Sequence, residues 1–198
     1  MDTATAAFSE SIKIADKDFI LTHIKFRSSS SKNHTLSFCA ANRLVKEEAL
    51  TGKIAGLYGN LHDGEGDFVY SCYVSSPYLD ERVRSERTGF DIEESVEGLF
   101  ENQDISLKKI REALIQNIKT YLGDVLLENI KAGKNRIEKF VSEKAPRYRP
   151  ILNRIPEDDL IVDSNISDKD LDLMLHKKLA EFERSILWND PQLDIDWQ

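Results

Sequence analysis

A dense group of charged side chains lies in the stretch SSPYLDERVRSERTGFDI, residues 75–92. It follows FVYSCYV (68–74), a run of aromatic and β-branched residues that is typical of a buried strand. Arginine stays charged at any relevant pH and donates paired hydrogen bonds from a planar fork, so Arg82, Arg84 and Arg87 are candidate ligands for a phosphate group. The alternative is a solvated surface helix, in which each local ion pair contributes about 0.3–0.5 kcal/mol.

A second stretch, CAANRLVKEEAL (39–50), places polar residues at the end of another apolar run. Alternation predicts a strand over 34–42. Helical spacing predicts a helix over 45–58 on four positions: Ala49, Leu50, Ile54 and Leu57. In that arrangement Asn42 and Arg43 would fix the strand-to-helix turn through side-chain hydrogen bonds.

The composition limits the classes of protein to consider. The chain has 198 residues, 40% of them hydrophobic, which suffices for one large domain or a domain with an appendage. The net charge of −8 counts against a dedicated nucleic-acid binder. Cys39 and Cys72 lie in apolar runs without a CxxC pair, which indicates reduced core thiols and no metal site. No run approaches the roughly 18 apolar residues of a membrane span, and no secretory signal is present, so we expect a cytoplasmic protein.

The order of elements over residues 1–100 indicates helices packed on a sheet. Further strands are predicted over 11–14, 18–26 and 68–75, with polar loops over 27–33 and 58–67. In the second loop, acidic residues alternate like calcium ligands, but no glutamate closes an EF-hand at the required distance, and the segment is interpreted as a flexible loop. The motifs GxxxxGKS/T, GxGxxG and GxSxG are all absent.

Residues 101–198 have the periodicity of a helical extension. An apolar stripe predicts a helix from Ser106 or Asp104 through Ile130, continuing past Gly133 to Lys144, where Pro146 ends it. The segment 146–159 holds three of the five prolines and is predicted to be an irregular connector. A last helix is predicted from Ser167, with an apolar stripe at five positions: Leu171, Leu175, Leu179, Phe182 and Ile186.

The stretches 39–50 and 73–92 together resemble the transducer, or middle, domain of the GHKL superfamily. That superfamily includes gyrase-type topoisomerases, heat-shock chaperones of ninety kilodaltons, histidine kinases, MutL and MORC ATPases, and bacterial heat-shock-chaperone-like ATP-binding proteins. Asn42, Arg43 and Val45 match the MutL pattern of a strand ending in asparagine and arginine, then a hydrophobe and a helix. Arg87 in SERTGF is the nearest match to the basic residue that contacts the terminal phosphate of the nucleotide, with Arg84 and Arg82 as alternates.

The resemblance covers about residues 10–92 and implies a fold and a role. The fold would be α+β, a mixed four-stranded sheet with helices on one face, a left-handed strand–helix–strand crossover and a long-helix extension. The role would be to couple the nucleotide state of an ATP hydrolase to the helices after residue 104, with Glu81 and Glu86 holding the arginines. The E-x-x-x-N and D-x-G-x-G segments of the superfamily's nucleotide pocket are absent. We therefore expect ATP and Mg²⁺ to bind in an N-terminal domain outside this sequence, and no hydrolysis by this segment alone.

Two other functions remain compatible with the sequence. An interaction scaffold would use the apolar stripes of helices 106–144 and 167–187 to bind a protein partner. A ribosomal-type RNA binder would share the transducer fold, but the net charge of −8 disfavours it. The distribution of arginines discriminates between the first two hypotheses, because scattered arginines favour a scaffold and arginines gathered at one strand end favour a transducer.

Overall fold

The computed structural model describes residues 4–27, 33–86, 88–95 and 105–189. The chain divides into two compact units, residues 1–127 and residues 128–198. Within the described residues, the first unit contains the sheet and the second is helical.

The first unit is built on a mixed sheet, which confirms the predicted α+β class. The strands are β1 (Ala4–Ile14), β2 (Lys17–Phe26), β3 (Thr35–Ala40), β4 (Arg43–Ala49), β5 (Leu61–Asp63) and β6 (Gly66–Ser75). They are ordered β1-β2-β6-β3-β4, with β5 paired to β6. The β3–β6 pair is parallel and the other pairs are antiparallel. Counted over the described residues, the sheet has six strands instead of the predicted four.

The helices are α1 (Pro77–Arg82), α2 (Leu107–Tyr121), α3 (Gly123–Glu143), α4 (Arg149–Leu152) and α5 (Asp168–Asn189). Ser106 caps α2 as predicted, because its hydroxyl accepts a hydrogen bond from the Lys109 amide. The predicted single helix is interrupted at Leu122, whose ψ of 3° is not helical, beside a glycine of low helix propensity. The second part then continues past Gly133 and ends before Pro146, as predicted. Among the described helices, none combines the length and the apolarity needed to span a membrane.

The core of the first unit lies between one face of the sheet and α2. Pairing of His23 with Cys72 and of Leu36 with Cys72 sets these three residues on the same face. The fully buried α2 positions that share this hydrophobic cluster are Ile110, Leu114 and Ile118. Helix α2, predicted as part of the helical extension, thus completes the core of the sheet.

The second unit has its own hydrophobic cluster, in which the proline-rich segment takes part. Tyr148 and Ile151 are buried against Leu171 and Leu175 of α5. The prediction of an irregular connector over 146–159 is therefore wrong. The segment forms 3-10 turns at Pro146–Tyr148 and Glu157–Leu160 on either side of α4, because its apolar residues are needed to cover α5.

The helix predicted over 45–58 is wrong. Residues up to Ala49 form the edge strand β4, and two tight turns follow it. In these turns the Lys53 amide bonds to the Leu50 carbonyl and the Leu57 amide to the Ile54 carbonyl. The third residue of each turn is a glycine, with φ of +80° at Gly52 and +81° at Gly56, which a continuing α-helix excludes. Two successive turns thus reproduce helical spacing without a helix, so the predicted strand–helix–strand crossover lacks its helix.

The segment 58–67 also differs from the predicted loop, because it contains β5 and its hairpin turn to β6. Asp63 binds Arg27, with Nη1 2.8 Å from Oδ1, and also Lys25 Nζ at 2.8 Å. The hydrogen bond from Arg27 holds the pKa of Asp63 well below its ordinary range. This carboxylate is therefore used in an ion-pair network and does not form part of a calcium loop.

Candidate functional site

The two stretches selected from the sequence meet at one end of the sheet. Parallel strands have their carboxyl ends on the same side, and β3 and β6 are the parallel pair. The residues that follow these strands are in contact: the Ala41 amide donates a hydrogen bond of 2.7 Å to Oδ1 of Asp80. The elements that follow the strand ends at 40 and 75, the turn at Ala41 and helix α1, are thus joined by a charge-assisted hydrogen bond.

The Asn42, Arg43 and Val45 motif lies in a β-hairpin. Ala41 and Asn42 form the two-residue turn between β3 and β4, with φ of +47° and +58°, values that match a type I′ turn. Arg43 then begins β4, where it pairs with Ala40 and is exposed. The predicted role of Asn42 and Arg43 in a strand-to-helix turn is therefore wrong. Asparagine tolerates the left-handed conformation, and the turn reverses the chain into an edge strand.

Helix α1 fixes the start of the charged segment. Ser76 accepts a hydrogen bond from the Tyr78 amide and donates one of 2.6 Å to the Asp18 carbonyl, which ties the helix start to β2. Pro77 follows the cap at a position where a missing N–H is tolerated. Leu79 is fully buried, and it anchors the helix in the first hydrophobic cluster.

The charged residues after α1 lie in a closed loop, which we call the 84–89 loop. A bridge between Val83 and Phe90 closes it, and the Arg84 amide donates a hydrogen bond of 3.0 Å to the Gly89 carbonyl. Phe90 is 4% exposed and meets the ring of Phe38 edge-on, at a centroid distance of 6.3 Å. The base of the loop is therefore fixed in the core. Arg87, the leading candidate, lies outside the described residues.

The cations at this end of the sheet differ from the other arginines of the first unit. Arg27 and Arg111 each bind carboxylates, whereas no carboxylate in the described residues forms an ion pair with Arg43 or Arg84, both exposed. The guanidinium of Arg82 lies over the Tyr78 ring at 5.3 Å. The exposed guanidinium groups of Arg43 and Arg84 suit a phosphate or carboxylate ligand.

Acidic side chains also lie at this end of the sheet. Glu81 and Glu86 are exposed, and within the described residues neither pairs with Arg84. The predicted role of these two glutamates in holding Arg87 concerns a residue outside the described ranges and stays a prediction. Across the part of the chain that the structure describes, no group of three or more His, Cys, Asp or Glu side chains could hold a metal ion.

The segment after the 84–89 loop is connected to the start of α2. The carbonyls of Glu93 and Glu94 accept hydrogen bonds of 2.9 and 3.0 Å from the amides of Leu107 and Lys108. The Glu94 side chain also binds Nη1 of Arg111 at 2.7 Å. Displacement of the loop would therefore act on the first turn of α2.

Arg111 also connects α2 to the edge strand. Its Nε and Nη2 donate hydrogen bonds of 2.8 and 3.0 Å to the two carboxylate oxygens of Glu48, a bidentate pair. Burial opposes ionisation of Glu48, but hydrogen bonds from Arg111 and two lysines outweigh it and lower its pKa to about 2. Sequence reasoning missed this pair because Glu48 was assigned to a helix.

A buried polar network on β1, β2 and β6 was also missed. His23 has its Nδ1 2.6 Å from the Tyr70 hydroxyl and its Nε2 2.9 Å from Oε1 of Glu10, and it stacks on Tyr121 at 4.0 Å. Burial lowers the pKa of His23, despite the opposing effect of Glu10. The available signal was the alternation of His23 with Phe19 and Leu21, which assigns it to the core face.

The scaffold hypothesis depends on the apolar stripes of the long helices, and many residues of these stripes are buried within each unit. In α2, Ile110, Leu114 and Ile118 are fully buried, and in α5 so are Leu171 and Leu175. These residues cannot serve as a free docking face while each unit is folded.

Comparison with known proteins gives no family. No family model matches this sequence, and no curated protein or solved structure is significantly similar to it. The functional assignment therefore depends on the geometry of the site.

Proposed function

We propose that this chain is the middle, or transducer, segment of a GHKL-type ATPase. It would sense the terminal phosphate of ATP bound in a separate domain and pass that state to its own helices. The observation that carries the proposal is the hydrogen bond between the Ala41 amide and Asp80. It joins the two stretches on which the resemblance depends, at the end of the sheet where arginines gather.

The 84–89 loop suits this role because its base is held in the hydrophobic core and because it carries the exposed Arg84. The Val83–Phe90 bridge and the burial of Phe90 would keep an arginine at a constant position relative to the sheet. Arg87 would contact the terminal phosphate, with Arg84 and Arg82 as alternates. A guanidinium supplied from a second domain stabilises the charge on the transferred phosphoryl group and reports that a triphosphate is present.

The connection from the loop to α2 supports the coupling part of the proposal. Hydrogen bonds from Leu107 and Lys108 to the segment after the loop would transmit its displacement to α2. The sheet β2-β6-β3-β4 would correspond to the four-stranded transducer sheet, with a hairpin and two turns in place of the crossover helix. ATP and Mg²⁺ would be held by the nucleotide-binding domain, outside this sequence.

The proposal is tested by turnover and nucleotide affinity of this chain joined to its nucleotide-binding domain. Arg87→Ala should lower the turnover number on the order of 10³-fold if the arginine acts in phosphoryl transfer, and less if it only senses. The dissociation constant for ATP should stay nearly unchanged, because the contact forms in the closed, triphosphate-bound state.

Arg84→Ala tests the alternate residue, and Arg184→Ala, at an exposed position of α5, is the matched control. Arg84 and Arg184 are exposed, and surface substitutions usually change stability by less than about 0.5 kcal/mol, so lower turnover in these two variants would not be caused by unfolding. If Arg87→Ala and Arg84→Ala both hydrolyse ATP at the parental rate, the loop is a solvated surface and the proposal fails.

A further inference from the structure

The sheet of the first unit has two edge strands, β1 and β4, which differ in how they are protected. Natural edge strands avoid pairing with other chains when they are short, charged or next to a β-bulge. β4 is 7 residues long, its register with β3 shifts between Phe38 and Cys39, and its Glu48 is bound by Arg111. The charged residues of β4 are Arg43, Lys46, Glu47 and Glu48. This edge is therefore unsuited to a further strand.

β1, at the opposite edge, lacks this protection. It is 11 residues long, and from Ala7 to Ile14 it pairs with β2 without a shift of register. This stretch contains two charged residues, Glu10 and Lys13, and the Glu10 carboxylate is bound by His23 at 2.9 Å. In the part of the chain that the structure describes, β2 is the one neighbour of β1 in the sheet. Within those residues, the outward backbone groups of β1 have no strand to pair with.

An exposed aromatic side chain is held at this edge. Phe8 is 50% exposed, and its ring stacks on that of Tyr121 at a centroid distance of 5.7 Å. Phe8 pairs with His23, which places it on the face of the sheet that forms the core. A strand added to β1 would extend this face and cover Phe8.

The sequence of β1 fits a second copy of itself. Two antiparallel copies of an edge strand related by a two-fold axis continue the same faces of the sheet, so the axis passes through a residue position. The longest pairings within residues 7–14 are 7–13 about Glu10 and 8–14 about Ser11. An axis at Glu10 sets two like charges opposite each other, which destabilises the pair, and an axis at Ser11 avoids this.

The pairing about Ser11 also sets compatible side chains opposite each other. On the core face, Phe8 lies opposite Ile14 of the second copy, and aromatic and β-branched residues stabilise each other across antiparallel strands. The remaining pairs are Ser9 with Lys13, Glu10 with Ile12, and Ser11 with itself. None of them joins like charges, so a second copy of this chain is the partner that the edge fits.

We propose that β1 is the interface of a homodimer. The β1 strand of a second copy pairs antiparallel with it, with Ser11 on the two-fold axis, and the two sheets become one. Two strand edges bury less area than the roughly 1,200–2,000 Å² of a stable interface, so the dimer is reversible and depends on protein concentration. The interface lies at the β1 edge, whereas the residues of the proposed function follow β3 and β6.

Sedimentation velocity of the whole chain, between about 1 and 100 µM, tests the proposal. We expect the sedimentation coefficient to rise with concentration from the monomer value toward the dimer value. Ser11→Lys places two positive charges about 5 Å apart across the axis and should weaken the dimer by about tenfold or more. Ser11→Glu should do the same, and an equimolar mixture of the two variants should associate again. Leu44→Lys, at a 54% exposed position of β4, is the matched control and should associate like the parent.

Disulfide crosslinking tests the register, in chains that carry Cys39→Ser to remove the partly exposed native thiol. Ser11→Cys should form a disulfide-linked dimer on oxidation, because residues on the axis lie directly opposite each other. Ser9→Cys, also exposed, should not, since the two copies of residue 9 are about 14 Å apart along the strands at about 3.4 Å per residue.

The proposal is overturned if the parent sediments as a monomer over the whole concentration range. It is also overturned if the parent associates and both charged variants of Ser11 associate equally well, because the chains then pair through another surface. Failure of the mixed variants to associate, or crosslinking of Ser9→Cys as readily as Ser11→Cys, would contradict the proposed register.

Discussion

Replacing Gly133 with alanine should destabilise the second unit, against the trend set by helix propensity. Gly133 lies inside α3, where alanine is normally favoured over glycine by about 1 kcal/mol. Here a Cβ would lie 2.1 Å from the carbonyl oxygen of Val162 and 3.1 Å from its carbon. The contact is with backbone, so a change of side-chain rotamer cannot relieve it.

The magnitude follows from these two opposing effects. Overpacking a well-packed site costs about 1–3 kcal/mol, and the upper part of that range applies when backbone must move. Subtracting the propensity gain of about 1 kcal/mol leaves a net loss of about 2 kcal/mol in the free energy of unfolding. The midpoint of urea unfolding, followed by circular dichroism, should fall accordingly.

Gly123→Ala is the matched control, because Gly123 begins the same helix and a Cβ there meets no atom within 4 Å. We expect it to be neutral or to stabilise by up to about 1 kcal/mol. The packing argument is refuted if Gly133→Ala unfolds at the same urea concentration as the parent, or at a higher one.

Three further predictions concern the first unit. Ala41→Gly should raise the free energy of unfolding by about 0.5–1 kcal/mol in urea titrations, since Ala41 has a φ of +47° that glycine adopts without strain. Glu48, with its pKa lowered to about 2, contributes stability that is present above pH 4.5 and is lost as the pH falls toward 2. In Glu48→Gln, urea titrations across this pH range should show a smaller decrease in the free energy of unfolding than in the parent. His23 has a pKa lowered by burial, so the unfolded chain binds a proton more readily and the free energy of unfolding decreases as the pH falls below 6.5. His23→Gln should make this decrease with pH less steep, and an equally steep decrease would contradict the assignment.

Hydrophobic periodicity predicted the elements whose buried side chains recur at the spacing of a strand or a helix. The strands over 18–26 and 68–75 and the capped helix α2 are amphipathic or wholly buried in a regular way, and the structure contains them. The helix predicted over 45–58 is absent because two glycine turns bury Leu50, Ile54 and Leu57 at helical intervals. The two glycines, Gly52 and Gly56, were the residues in this segment that indicated turns in place of a helix.

The site was predicted in part. The sequence identified both stretches that meet at the end of the sheet, but not the contact between them, because the Ala41–Asp80 hydrogen bond depends on parallel pairing across the fold. The Glu48–Arg111 pair spans 63 positions in the chain, and neither residue is distinctive by itself. Contacts of this kind depend on tertiary arrangement and have no local signal.

The most direct test of the central claim is a structure of this chain joined to its nucleotide-binding domain, with a non-hydrolysable ATP analogue and Mg²⁺ bound. The measured quantity is the distance from the guanidinium groups of residues 82–87 to the terminal phosphate oxygens. The proposal predicts that one arginine, Arg87 first, lies at hydrogen-bond distance of about 2.7–2.9 Å. A terminal phosphate bound only by other groups, with the 84–89 loop facing solvent, would contradict it.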